Sequence, residues 1–171
     1  SRVLEQAFRN YKIPYTISGG KSFFDKAEIK DIMAYLRLTI NEDDDSAFIR
    51  AITTPKRGIG ETTLDKLSTY AARREISLFE ALFEEGFAAV CNPVQLENVL
   101  DFGRFINDIQ ARQKYEPAGE LLTEILSAIK YEEYLYDSEE LKAAEKRYGN
   151  VLNFIEWMSK KGENDNKTLP E

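Results

Sequence analysis

The stretch TPKRGIGETT, residues 54–63, combines residue types that could bind a phosphate group. Lys56 and Arg57 supply two cations, and they are followed by Gly58 and, after one isoleucine, Gly60. Glycine adopts backbone conformations that other residues resist, so both glycines predict a tight hairpin. A hairpin that presents cations beside open backbone is a candidate phosphate site. An ordinary turn between two helices is the alternative.

The elements on both sides of this hairpin are predicted to be helices. One helix should end before Pro55, and the next should begin at about Glu61, where backbone N–H groups lack a helical partner. A phosphate oxygen could accept from those N–H groups. Ile59 stands between the two glycines, and we expect it to enter the core and hold the hairpin in place.

The charge distribution makes these cations informative, because the whole chain has a net charge of −7. Residues 50–74 carry +4, so the rest of the chain carries −11. A cationic segment lets an acidic protein contact a polyanion at one defined place. The segment holds six cations against Glu61 and Asp65, and the cations are Arg50, Lys56, Arg57, Lys66, Arg73 and Arg74.

Two other motifs fit ligand sites less well. GGKS, residues 19–22, resembles the end of a nucleotide-binding phosphate loop, but Tyr15 occupies the position where that loop needs a glycine. NEDDD, residues 41–45, lacks the alternating ligands, the glycine and the closing glutamate of a calcium loop. It fits the N-terminal end of a helix, where carboxylates are favoured by the helix dipole.

The composition excludes several classes of site. The chain has no histidine, which removes histidine-based catalysis and almost every ordinary zinc site. Cys91 is the single cysteine, which rules out an internal disulfide and fits a reducing, cytoplasmic compartment. No apolar run approaches the roughly 18 residues that would suggest a membrane span.

Helical spacing dominates the chain from Asp25 onward, and capping signals at Asp25, Ser77 and Asn92 predict three of the helix starts. We expect seven or eight helices. The sequence before Asp25 predicts a helix at the very start of the chain. The segment IPYTISGG, residues 13–20, predicts a short strand followed by a glycine turn. The predicted fold is therefore mainly α with a short α/β stub at its front. The two ends of the sequence suggest a segment of a longer protein.

A family resemblance is carried by consecutive segments of the sequence: SRVLEQAF, IPYTISGGKSFFDKAEIKDIMAYLRL, NEDDDSAFIRAITTPKRGIGETTLDKL and SLFEAL. They resemble the Rep, UvrD and PcrA group of superfamily 1 DNA helicases, the Rep type most of all. The likeness returns at YEEYLY, KAAEKR and NVLNFIEWM, while residues 83–130 are only loosely similar. It implies that residues 1–24 belong to the second RecA-like domain (2A), that residues 25–162 form the helical 2B subdomain, and that residues 163–171 are a polar linker or tail.

The resemblance also implies a function for the hairpin. In that group the Gly-Ile-Gly hairpin, which resembles a helix-hairpin-helix element, contacts duplex DNA. Contacts to phosphates position a protein without reading the base sequence, which suits a helicase. The role carries over to seven residues of this sequence: Thr54, Lys56, Arg57, Gly58, Ile59, Gly60 and Thr62.

The resemblance further implies that the longer protein is an ATP-dependent 3′-to-5′ DNA helicase of replication or repair, which uses ATP and Mg²⁺. Its 2B subdomain would swivel between orientations and regulate unwinding. The ATPase motifs of the group are absent from this sequence. We therefore expect no catalytic residue, cofactor site or metal site here, and no ATP hydrolysis by the chain alone. The expected partners are duplex DNA and the remaining helicase domains, with no membrane.

A helical protein–protein adaptor without nucleic-acid binding is the alternative function. The acidic surface would then be the working face, and the Gly-Ile-Gly stretch would be a plain turn. Salt-dependent binding of duplex DNA favours the helicase interpretation. Indifference to DNA together with tight binding of a protein partner favours the adaptor.

Overall fold

The structure of the chain, a computed structural model, describes residues 23–165. Across that range nine α-helices follow a 3₁₀ turn at Phe23–Asp25, and no strand is present. None of these helices is both long and apolar enough to cross a membrane. The helices are α1 (Ala27–Ile40), α2 (Asp45–Thr53), α3 (Glu61–Arg74), α4 (Leu78–Leu82), α5 (Glu85–Val90), α6 (Pro93–Arg112), α7 (Ala118–Ala128), α8 (Tyr131–Ser138) and α9 (Leu141–Asp165).

The mainly α fold class is confirmed. The sequence pattern does not predict α5, because its six residues are too few to show a helical repeat. The predicted first helix, the strand at residues 13–20 and the GGKS motif lie outside the described residues. The same holds for nearly all of the segment assigned to 2A.

Two predicted helix starts are confirmed by their caps. The Ser77 hydroxyl accepts from the Glu80 N–H at 3.2 Å, and the Asn92 side chain accepts from the Val94 N–H at 2.9 Å. A side-chain oxygen of this kind satisfies one of the N–H groups that the first turn of a helix leaves open. The local sequence therefore fixes the beginnings of α4 and α6.

The acidic NEDDD stretch also caps helices. Asp44 is the N-cap of α2, and its carboxylate accepts from the Ala47 N–H at 3.0 Å. Asp45 reaches a different helix, where it accepts from the Leu78 N–H at 2.9 Å. These carboxylates therefore stabilise the starts of α2 and α4, as expected for acids at helix N-termini.

The predicted cap at Asp25 is wrong, because Asp25 ends the 3₁₀ turn instead. The Lys26 carbonyl accepts the first N–H bonds of α1. Glu28, expected to reach back to residue 25, is buried and accepts from the Asn150 amide of α9 at 2.8 Å. A tertiary partner has thus replaced the local capping box.

The described residues fall into two compact units. The central unit is Met33–Gln110, and the terminal unit is formed by the described residues before Met33 and after Gln110. The divisions fall inside α1 and inside α6, so each of these helices contributes residues to both units.

The core of the central unit is built around aromatic rings. Phe48 of α2 contacts Phe102 of α6 with ring centroids 5.6 Å apart and Phe79 of α4 at 6.5 Å, both edge to face. Tyr35 of α1 meets Phe102 at 6.5 Å. All four side chains are buried, so the core that lies under the hairpin is close-packed and aromatic.

In the terminal unit, α7, α8 and α9 pack against one another. Tyr131 of α8 is buried, and its hydroxyl donates to the Asp31 carboxylate of α1 at 2.6 Å. Burial and the Asp31 charge raise the pKa of Tyr131 well above its usual range. The hydroxyl therefore stays protonated and keeps the buried carboxylate hydrogen-bonded.

Candidate nucleic-acid interface

The hairpin between α2 and α3 needs glycine at one position. Gly58 has a φ of +76°, in the left-handed region that side chains resist. Gly60 has φ −81° and ψ 162°, an extended conformation open to any residue. A Cβ at Gly60 would meet only the Gln95 oxygen at 4.0 Å. The expectation of two special backbone conformations is therefore right for Gly58 and wrong for Gly60.

We predict opposite effects on stability at the two glycines. Gly58→Ala should lower the free energy of unfolding by about 1–2 kcal/mol, because alanine must adopt a positive φ. Gly60→Ser should leave it unchanged or raise it by a few tenths of a kcal/mol, because serine is a good N-cap for α3. Urea unfolding checks both variants. Equal losses would contradict the assigned backbone geometry.

Gln95 of α6, rather than Ile59, holds the hairpin. Ile59 is only half-buried, so the expectation that it enters the core is wrong. The Gln95 amide nitrogen donates to the Gly58 carbonyl at 2.7 Å. Its oxygen accepts from the Gly60 N–H at 2.9 Å and from the Thr63 hydroxyl at 2.8 Å. One side chain therefore fixes both glycines and the first turn of α3.

Gln95 was missed by sequence reasoning, although the NPVQ motif draws attention to it. The motif places the glutamine in the third position of α6, where a role in capping its own helix is the ordinary one. Its partners instead lie 35 and 37 residues earlier in the chain. Local spacing carries no signal for so distant a contact.

Arg57 turns toward the protein. One terminal nitrogen donates to the carbonyls of Ala51 and Ile52 at 2.6 and 2.9 Å, and the other nitrogen donates to the Tyr35 hydroxyl. The guanidinium also lies over the Phe102 ring, 4.7 Å from its centroid. Arg57 thus caps the C-terminal end of α2 and ties the hairpin to the aromatic core.

Thr54 takes part in the same network through its backbone. Its carbonyl lies 2.6 Å from the Tyr35 hydroxyl, and its N–H donates to the Ala51 carbonyl at 3.3 Å. The structure therefore brings Thr54 and Arg57 together on the inner side of the hairpin.

The outer side of the hairpin presents Lys56 and the start of α3. Lys56 and Thr62 are exposed, and Lys56 has no ion pair or hydrogen bond to any described residue. The first N–H bond inside α3 runs from Leu64 to the Gly60 carbonyl at 3.2 Å, and no side chain caps this helix. The N–H groups of Glu61 and Thr62 therefore have no acceptor within the helix.

The electrostatics of this outer side are mixed. The N-terminus of α3 carries partial positive charge, and Lys56 adds a full one. Glu61, exposed in the first turn, opposes them. Attraction for a phosphate group thus depends on Lys56 and on the uncapped N–H groups together.

The sequence family is shown by comparison with known proteins. The model of the UvrD-like helicase C-terminal domain matches residues 1–170, and the chain belongs to this family. Among its relatives is the ATP-dependent DNA helicase Rep of Salmonella typhimurium, 42% identical over 160 residues, which are 93% of this chain and 24% of the relative. Rep of Escherichia coli is equally similar. The ATP-dependent DNA helicase PcrA of Bacillus subtilis is 39% identical over 156 residues, 91% of this chain and 21% of that protein.

The chain spans about a quarter of the length of these relatives. The similarity therefore concerns one part of these relatives, and the matching part of this chain contains the hairpin.

Proposed function

We propose that this chain is the 2B subdomain segment of a Rep-like, ATP-dependent 3′-to-5′ DNA helicase, and that it holds duplex DNA at the hairpin. The observation that carries this proposal is the uncapped start of α3 beside exposed Lys56. Hydrogen bonds from Arg57 and Gln95 hold the hairpin in place. A rigid group of N–H donors with an adjacent cation suits a phosphate oxygen.

In this proposal the seven residues divide into two roles. Lys56, Thr62 and the N–H groups at the start of α3 contact phosphate. Thr54, Arg57 and Gly58 position the hairpin. Thr54 and Arg57 form hydrogen bonds within the protein, and Gly58 has the positive φ that the turn requires. Ile59 and Gly60 connect the two sets. Because no base edge is involved, the grip is independent of sequence.

The same proposal assigns the ATPase to parts of the longer protein outside this chain. ATP and Mg²⁺ act there, and the chain alone hydrolyses no ATP. The proposed partners are the duplex and the remaining helicase domains, in the cytoplasm. A change in orientation of this subdomain would regulate unwinding by changing whether the hairpin reaches the duplex.

The test is a titration of two unrelated duplexes of equal length at several salt concentrations. We expect binding in the nonspecific range of about 10⁻⁴ to 10⁻⁶ M, weakening with salt. Lys56→Ala should reduce the slope of log affinity against log salt by about 1, equally for both duplexes. The matched control is Lys142→Ala, an exposed lysine of α9.

Gly60→Asp separates binding from stability. The aspartate should cap α3 and preserve or raise the free energy of unfolding. The same carboxylate would occupy the open N–H groups and repel phosphate, so duplex affinity should fall further than in Lys56→Ala. If Lys142→Ala and Lys56→Ala lowered duplex affinity equally, the loss would be due to net charge alone and the hairpin would have no special role. A chain that ignores duplexes but binds a protein partner would be an adaptor.

A further inference from the structure

A surface groove of about 350 Å³ follows α3 away from the hairpin. Its lining includes one stretch of α3 from Thr62 to Arg73, together with Val90 at the end of α5. Thr62 therefore belongs both to the hairpin and to the near end of the groove. A ligand held at the hairpin could continue into this groove without leaving the protein surface.

The polar groups of the groove repeat along one face of the helix. Thr62, Lys66, Thr69 and Arg73 are separated by four, three and four residues, which places them on the same side of α3. At 1.5 Å per residue this face is about 16 Å long. Consecutive phosphates of one DNA strand advance roughly 3.4 Å along the helix axis and lie farther apart along the winding strand, so the face is long enough to reach more than one phosphate.

The two cations of the groove are available to a ligand. Lys66 and Arg73 are exposed, and neither forms an ion pair or hydrogen bond with a described residue. Neighbouring Arg74 differs, because its guanidinium is held by Glu84 at 2.9 Å. Asp65 is the single carboxylate among the described lining residues. The groove therefore has a net positive charge.

The remaining lining residues are Tyr70 and Val90, and the Tyr70 ring is held in position. The Tyr70 ring packs on Phe87 with centroids 6.2 Å apart, and its hydroxyl donates to Glu84 at 2.8 Å. That hydrogen bond raises the pKa of Tyr70, so the ring carries no charge at neutral pH. Val90 is 54% exposed. An apolar surface between cations and hydroxyls matches a sugar–phosphate backbone, whose sugars present C–H groups and whose phosphates are charged.

We propose that this groove is a second DNA-backbone site, in which Lys66 and Arg73 bind phosphates of the strand that the hairpin grips. Thr69 donates a hydroxyl hydrogen bond between them, and Tyr70 with Val90 contacts the sugars. The inference rests on the proposed function of the hairpin. It extends the contact from one phosphate to a track along α3.

The experiment measures duplex affinity of the whole chain against salt concentration, with two unrelated duplexes of equal length. The double variant Lys66→Ala/Arg73→Ala should lower the salt slope by about 2, because two phosphate contacts are lost. The loss should be equal for both duplexes. The matched control removes two exposed lysines of α9, Lys142→Ala/Lys146→Ala, and should leave the slope nearly unchanged. Urea unfolding confirms that all variants fold.

A gain of binding provides the second measurement. Asp65→Asn removes the carboxylate from the groove and should tighten duplex binding about two- to five-fold at low salt, the range of exposed charge interactions. Misfolding does not explain a gain. The control Asp137→Asn, on the exposed side of α8, removes the same charge elsewhere.

The outcomes separate the two proposals. An unchanged slope for Lys66→Ala/Arg73→Ala, in a chain that Lys56→Ala weakens, would overturn the groove and leave the hairpin in place. Equal effects from the α9 double variant, or from Asp137→Asn and Asp65→Asn, would also overturn it. Absence of duplex binding by the unaltered chain would overturn both proposals.

Discussion

Arg57→Ala should lower the free energy of unfolding by about 3 kcal/mol. The substitution removes charged hydrogen bonds to the carbonyls of Ala51 and Ile52, both buried residues, and the contact of the guanidinium with the Phe102 ring. Hydrogen bonds from charged groups contribute roughly 1.5–3 kcal/mol each. The Ile52 carbonyl loses the Arg57 donor, whereas the Ala51 carbonyl keeps the Tyr35 hydroxyl and the Thr54 N–H as donors. Urea unfolding with a slope common to both proteins gives the difference.

Arg57→Lys is the matched control, because it keeps the charge and loses the planar guanidinium. A single ammonium group cannot reproduce the fork that reaches the α2 carbonyls and the Tyr35 hydroxyl together. We expect a loss of about 1–2 kcal/mol for this variant. If Arg57→Ala instead left stability unchanged and lowered only duplex affinity, Arg57 would be a phosphate ligand rather than a positioning residue.

Gly119→Val should destabilise the terminal unit by about 3 kcal/mol, because α7 and α9 cross closely at this point. A Cβ on Gly119 would lie 2.8 Å from the Ser159 Cβ and 3.0 Å from its Cα. The Ser159 hydroxyl can rotate away, but its Cβ and backbone cannot. The helices would have to separate, and the packing between them would be lost. Thermal or urea unfolding of the variant measures the cost.

Gly149→Ala provides the control in the same unit. Gly149 lies inside α9, and a Cβ there would meet nothing within 4 Å. Alanine should therefore raise the free energy of unfolding by about 0.5–1 kcal/mol through its higher helix propensity. A loss at Gly149, or no loss at Gly119, would contradict the packing described for α7 and α9.

The sequence predicts elements well where the signal is local. In α6 the apolar repeat identifies Val99, Phe102, Ile106 and Ile109, and all four are buried. The caps at the starts of α4 and α6 follow from residues within the same turn. Helical periodicity and capping depend on neighbours in the chain, which a sequence displays directly.

The candidate site could be located from the sequence, but its internal roles could not. The cations and glycines of residues 54–63 identify the hairpin. Which cation faces outward depends on Tyr35 and Phe102, whose contacts with Arg57 bridge distant parts of the chain. The same limitation explains the error at Asp25, where a partner on α9 draws Glu28 away from the local cap.

The bond between Gln95 and Gly58 also has a consequence for the order of folding. It closes a loop of 37 residues, so the hairpin reaches its final geometry only after α6 has docked. During synthesis, all residues of the hairpin leave the ribosome together with α2 and α3. Its final conformation cannot form at that stage, because Gln95 has not yet been released. A truncated chain that ends before residue 95 would likewise lack the Gln95 hydrogen bonds that fix the hairpin. If the hairpin binds duplex DNA as proposed, the shortest segment that can do so extends at least to Gln95, well beyond the motif itself.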